Sequence, residues 1–376
     1  MASTVSNHNM GNVNNDHNKE DKICLNGESN LDRVNSCTYS VTSSESISTD
    51  KFGFIDSNKS LYDKEVNQGA DFKVLLRREK KWLQMLSSVE TWNLYATKEY
   101  NTVRSRCRKG IPSSIRPTAW LHLCGAVALQ KEQSTFERLC NRNGEKRWLD
   151  DIEKDLDRNF PTHELFGGEY GHIGKPELFK ILKAYSIYNP QVGYCQAQAP
   201  IAALLVMNMP SDKAFWCLQS ICDHVLKGYY AEGMVAIQVD GNVLMKLLEI
   251  VCPAVYIHLV YQNIEPVLFM QEWFLCAYSR TLPWSTVLRI WDMFMCEGIN
   301  VLFKVALVIL KCTLTKKVRK SCSTMYETLS MLKDIPDHIT KPEFMVKHVI
   351  NINVIDEDIK QERNRQLRNF SGNRTF

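Results

Sequence analysis

The chain has 376 residues, 44% hydrophobic and 23% charged, the proportions of a globular protein with ample core material and not of a collagenous or low-complexity chain. Its net charge of +4 is unevenly placed: residues 1–70 carry 6 basic and 10 acidic side chains, so the remainder has an excess of eight positive charges. That excess is too dilute to argue for nucleic acid and suits a partner with an acidic face or an anionic membrane.

Residues 1–50 contain 9 Asn, 9 Ser and one aromatic, Tyr39. Such a segment cannot bury enough apolar surface to offset its ordering entropy. Residues 1–70 are therefore expected to be a disordered tail, dispensable for chemistry, with the Ser-rich stretch Thr42 to Thr49 a candidate for phosphorylation. From Asp71, the spacing of Leu75, Trp82, Leu86 and Val89 predicts one face of a helix, so 71–107 reads as a helical extension. Gly110-Ile111-Pro112 breaks the chain, and Ser113 or Ser114 can cap the next helix. Arg108, Gly110, Pro112, Arg116 and Trp120 form a turn followed by a helix that buries Trp120. The pattern then stays helical through a domain at 108–316 and a C-terminal helical tail at 317–376. Val301 to Leu310 is apolar almost all round, which predicts a central helix. Alternating runs are few and no internal repeat is visible, so the fold class is all-α.

Thirteen cysteines are scattered without C-x-x-C pairs or zinc spacing, so no metal is expected and free thiols in a reducing compartment are. Met1 to Asn30 has no apolar core of a signal peptide. Ala199 to Met209 is too short to span a bilayer. The expected location is cytoplasmic, peripheral to vesicle, endosomal or plasma membranes.

Three segments place polar residues in apolar helical surroundings. In Ile152 to Arg158, a helix carrying Asp155 and Arg158 at i,i+3 lets the carboxylate hold the guanidinium, with Pro161 ending the helix. Alone, such a pair is most often a solvated surface ion pair. In Gly193-Tyr194-Cys195-Gln196, Gln196 opens an apolar helix. Its amide donates and accepts at once, as positioning a water requires, and it equally suits a bond to its own backbone. A Cys195 nucleophile served by His163 is a weaker idea, since nothing fixes their separation. In the third segment Trp291 reads as core and Asp292 as its polar anchor. No G-x-x-x-x-G-K-[ST] is present, so the chain is not itself a P-loop GTPase.

In this order and spacing the segments resemble the TBC domain, a family of GTPase-activating proteins for Rab small GTPases. R-x-G-I-P-x-x-x-R-x-x-x-W is Arg108 to Trp120, I-x-x-D-x-x-R is Ile152, Asp155 and Arg158, Y-x-Q is Tyr194 and Gln196, and W-D-x-F-x-x-x-G is Trp291 to Gly298. The family commonly continues Y-x-Q with Gly-Met-Asn, where this chain has Ala197-Gln198-Ala199. That departure, with Glu272-Trp273-Phe274 and Arg280-Thr281-Leu282-Pro283-Trp284, looks like the subgroup that binds ezrin-associated PDZ scaffolds. The chain ends Arg374-Thr375-Phe376, which is not a consensus C-terminal PDZ ligand.

The resemblance implies two helical subdomains with a groove between them and a GTP-bound Rab as partner. It also implies Arg158 as an arginine finger, Gln196 orienting the attacking water, and Asp155, Ile152 and Tyr194 in support. GTP and Mg²⁺ would be held by the partner GTPase, with no cofactor of the chain's own and no turnover of its own. The alternative is a catalytically silent Rab-binding or helical scaffold module.

Overall fold

A computed structural model describes residues 49–55, 68–130, 134–168 and 170–372. Residues 42–48 of the Ser-rich stretch and the terminal Arg374-Thr375-Phe376 lie outside the described residues. Among the described residues the regular secondary structure is helical apart from two isolated bridges, Thr49 with Ile55 and Phe54 with His163.

The first three helices are α1 (Gln68–Met85), α2 (Val89–Lys98) and α3 (Tyr100–Arg108). The single apolar face expected through Val89 does not form. Ser88 takes an extended backbone and its hydroxyl accepts the Thr91 N–H at 3.1 Å, which starts a new helix. Trp82 and Met85 are buried, whereas Leu75 and Val89 are 40% and 60% exposed.

A first group comprises α4 (Arg116–Leu123), α5 (Ala126–Leu129), α6 (Thr135–Asn141), α7 (Lys146–Leu156), α8 (Gly171–Tyr188), α9 (Gln198–Asn208) and α10 (Ser211–Ser220). Its centre is α8, which packs against α6, α7, α9 and α10. Helix α9 is buried on nearly every side from Gln198 to Leu205.

The second group comprises α11 (Val235–Val251), α12 (Pro253–Tyr261), α13 (Val267–Leu275), α14 (Trp284–Glu297), α15 (Asn300–Thr313), α16 (Lys316–Ser321), α17 (Met325–Lys333), α18 (Asp337–Thr340), α19 (Pro342–Asn351) and α20 (Asp356–Gly372). Helix α15 lies at its centre, buried at every position from Val301 to Leu310, as its all-round apolarity predicts. Helices α3 and α4 pack on α14 and join the two groups.

The segment expected as a C-terminal tail is helical, but it is part of the second group. Helix α20 lies along α11, where Arg363 makes a two-pronged bond to the fully buried Asp240 at 2.6 and 3.0 Å. At the start of α20, Asp356 receives Lys304 at 2.6 Å and Arg104 at 3.0 Å. None of the described helices is long and apolar enough to cross a membrane.

Candidate functional site

Helix α7 buries Ile152 and, one turn on, Asp155. It ends at Leu156, five residues before the Pro161 expected to end it, so Arg158 stands in the following turn rather than on the helix. The Arg158 and Asn159 backbones turn back on α7, and Asn159 Nδ2 donates to the Asp155 carbonyl at 2.6 Å. This fixes the base of the Arg158 side chain. Its outer part is free: the side chain is 64% exposed, and Nη1 lies 3.4 Å from Asp155 Oδ1.

Tyr194 and Gln196 arrive from the turn between α8 and α9, so Gln196 precedes the helix it was expected to open. Gly193 has φ +64°, and a Cβ there would lie 2.5 Å from the Trp148 indole, so the turn presses flat on that ring. Tyr194 Oη donates to Asp155 Oδ2 at 2.8 Å, and Gln196 Nε2 donates to Asp155 Oδ1 at 3.3 Å. Burial, then the Asp155 carboxylate, push the Tyr194 phenol well above its ordinary range, which keeps it a donor. One buried carboxylate thus gathers Arg158, Tyr194 and Gln196 from two separate turns.

Gln198, one of the departures from the family's usual continuation, closes the same turn. It is fully buried, and its Oε1 accepts the Cys195 N–H at 2.9 Å. Cys195 is unsuited to attack, because burial pushes its thiol up rather than activating it. His163 has both ring nitrogens engaged with backbone, at Phe52 O (2.9 Å) and Leu165 N (3.1 Å).

Arg158 lines a cleft of about 420 Å³ whose other wall includes Ser279, Arg280, Leu282 and Trp284. Arg280 also lines a second cleft of about 680 Å³, with Ala197, Glu272, Trp273 and Lys333. The groove between the two helical groups therefore has Arg158 on one side and Arg280 on the other. Arg280 was legible only as part of a motif.

The remaining motif residues form a second constellation. Asp292, wholly buried, accepts the Ile111 N–H at 2.7 Å, Arg116 Nε at 3.0 Å and Trp120 Nε1 at 3.0 Å. It is not the anchor of Trp291, whose indole N–H goes to the Ala277 carbonyl at 3.0 Å. Pro112 ends the Gly110 turn, and its carbonyl accepts the Arg116 N–H at 2.9 Å. Arg108 grips Glu297 with two prongs, at 2.8 and 2.5 Å. These contacts pin α3 and α4 to α14.

The region expected to be a disordered tail also contributes. Residues 49–55 dock on the loop after Arg158, and Asp50 and Phe54 line the Arg158 cleft. The available signal was local: Phe52-Gly53-Phe54 behind Asp50 is a turn with two aromatics, diluted by the polar residues around it.

The model of the Rab-GTPase-TBC domain matches residues 113–317. Among curated proteins, the chain is 46% identical over 325 residues to TBC1 domain family member 10B of Mus musculus. That alignment covers 86% of this chain and 40% of the relative, so the chain spans well under half of that protein's length. It is 48% identical over 294 residues to TBC1 domain family member whacked of Drosophila melanogaster, covering 78% of this chain and 80% of that one. Among solved structures, the flagellar RabGAP TBC domain of Chlamydomonas superposes with a TM-score of 0.60 at 23% identity, covering 80% of this chain and 99% of that one. The domain match, the extent of the identity and the shared helical fold agree: the chain belongs to the Rab-GTPase-TBC domain family.

Proposed function

We propose that the protein is a GTPase-activating protein for GTP-bound Rab-family GTPases, acting in vesicle trafficking from the cytoplasmic face of a membrane. The observation that carries this reading is the single carboxylate of Asp155 aligning Arg158 and Gln196 at one side of the groove.

A GTPase holds its own GTP and Mg²⁺, and hydrolysis is slow while charge developing on the phosphates is poorly neutralised and the attacking water poorly aimed. Arg158 supplies a planar guanidinium able to bond two phosphate oxygens at once, which an ammonium cannot do. Its bond to Asp155 is long and lies at the exposed end, where such pairs contribute only about 0–1 kcal/mol. Asp155 therefore orients the arginine without sequestering it. Gln196 donates to Asp155 through its nitrogen, which leaves its carbonyl oxygen to accept from a water. Tyr194 takes the other Asp155 oxygen and stops the carboxylate from rotating. The buried Gln198 completes the turn that the altered residues after Gln196 put in question, which favours the active reading over a silent scaffold.

The test is single-turnover GTP hydrolysis across a panel of purified Rab GTPases with the protein in excess. Wild type should accelerate at least one of them by roughly 10³–10⁵, and Arg158→Ala should abolish most of that. An Arg158→Ala protein as fast as wild type would return the scaffold reading.

A further inference from the structure

Residues 50–55 are built as a strap. The Asp50 carboxylate accepts the N–H groups of Phe52 (2.8 Å) and Phe54 (2.9 Å), and the Asp50 N–H donates to the Phe54 carbonyl at 2.8 Å. Gly53 holds a left-handed φ of +87°, and a Cβ there would lie 2.9 Å from both Glu164 Oε1 and His163 Nε2. The loop is thus closed on itself and shaped to lie against its neighbour.

That neighbour is the loop that begins at Arg158. Ile55 N–H donates to Thr162 O at 2.7 Å, Glu164 N–H donates to Gly53 O at 2.8 Å, and His163 reaches Phe52 O at 2.9 Å. With Nδ1 accepting the Leu165 N–H, the His163 tautomer carries its proton on Nε2 and donates it to Phe52. The Phe54 ring stands edge-on between Trp284 (5.2 Å), His163 (4.9 Å) and Phe160 (6.4 Å). Phe160, two residues after Arg158, is held at φ +45°, a conformation that a bulky residue keeps only when its surroundings enforce it. Phe160 also packs edge-on against Trp284. Two backbone bonds, the His163 side-chain bond to Phe52 and one aromatic wedge therefore hold the chain leaving Arg158, while the Asp155 carbonyl holds the Arg158 and Asn159 end of the loop.

We infer that the Asp50–Ile55 strap, with Phe54 as its wedge, is a positioning element for Arg158, fixing the far side of its loop so that the guanidinium enters the GTPase site in one orientation. This rests on the Rab-activating reading above. It reverses the expectation that residues 1–70 are dispensable. The strap acts through the backbone of 158–165 and not by touching substrate.

The experiment uses the full chain carrying Phe54→Ala, Phe54→Tyr, Arg158→Ala and the double variant Phe54→Ala with Arg158→Ala. Phe54→Ala should lower the single-turnover rate at saturating protein about tenfold or more, since displacement of a catalytic group by about 1 Å has effects up to about a hundredfold. Its half-saturating concentration should change less than threefold. Phe54→Tyr, which keeps the ring, should recover most of the rate. In the Arg158→Ala background, Phe54→Ala should produce no further loss. A strap that merely stabilised the fold would lower the rate equally in both backgrounds. An equal loss in both, an unchanged rate, or a loss confined to affinity would each overturn the proposal. Amide hydrogen exchange on the free protein gives a second readout. Residues 158–165 should exchange about tenfold faster in Phe54→Ala while α8 stays unchanged. If no GTPase is stimulated by wild type, the functional reading fails on that result. The exchange data still decide whether the strap fixes the loop, and unaltered exchange there overturns it.

Discussion

The molecule contains two aspartate–arginine–aromatic constellations that differ mainly in depth. Asp292 takes Arg116, the Trp120 indole and a backbone N–H, and the arginine side chain is 9% exposed. Asp155 takes Arg158, the Tyr194 phenol and the Gln196 amide, and the arginine side chain is 64% exposed. In the first, the guanidinium bonds inward to the carboxylate and to the Ile111 carbonyl, and the result is a joint between helices. In the second, the carboxylate is equally well served but the arginine keeps most of its donors. The same residue types make a clamp where the guanidinium is buried and a presented cation where it is exposed.

The sharpest way to break this contrast is to disable one partner at each site. Arg158→Lys should be nearly as slow as Arg158→Ala, forfeiting most of a contribution of roughly 10³–10⁵ in rate, or about 4–7 kcal/mol, with the melting temperature unchanged. Retention of a third of the wild-type rate would reduce Arg158 to a docking charge. Next in size, Asp292→Ala strands a buried guanidinium and should cost about 3–5 kcal/mol in denaturant unfolding. A folded Asp292→Ala protein of near-native stability, impaired only in GTP hydrolysis, would erase the distinction between the two sites.

Asp155→Asn should show the opposite balance. It keeps an acceptor for Tyr194, so the stability loss should stay below about 1.5 kcal/mol, while on the proposed mechanism a misaimed Arg158 and Gln196 should slow single-turnover hydrolysis by roughly ten- to a hundredfold. Urea melts and saturating-rate measurements on the same sample separate the two.

The smallest expected effect is on pH dependence. Burial holds His163 below its ordinary value of about 6.5, partly opposed by its bond to the Phe52 carbonyl and then by the Glu164 and Asp50 carboxylates. The unfolded chain then takes up a proton that the folded chain resists. The stability His163 contributes is complete above about pH 6.5 and is lost as the pH falls below that toward and through its lowered folded value, with a slope of at most about 1.4 kcal/mol per pH unit. His163→Gln should flatten this part of the stability profile between pH 7 and 5.5. The parts from His122 and His258, also lowered by burial, should remain. An unchanged profile would show that the strap holds without a neutral imidazole.

The helical class, the central α15 and the pairing of Asp155 with Arg158 were legible because each rests on local spacing along one helix or turn. Tyr194 and Gln196 were legible as a motif, but their convergence on Asp155 depends on how α8 returns the chain beside α7, which spacing does not encode. The true partner of Asp292 was hidden for the same reason: Arg116 and Trp120 lie more than 170 positions away. The break at Ser88 was missed because the apolar period runs through it, and a capping bond outweighed the period. The strap was missed because its aromatics were averaged into a polar tail.

The bond between Arg363 and Asp240 has a consequence for how the protein is made. Asp240 lies deep in the second helical group, and its counter-charge is 123 positions further on. A ribosome releasing the chain from its N-terminus delivers α11 long before α20, at roughly 5–20 residues per second. Through that interval α11 carries a charge it cannot bury without heavy cost, and its apolar face stays open to chaperones. Premature stops before codon 363 should therefore yield a chain that the cell degrades, even though Arg158 and Gln196 are both present in it.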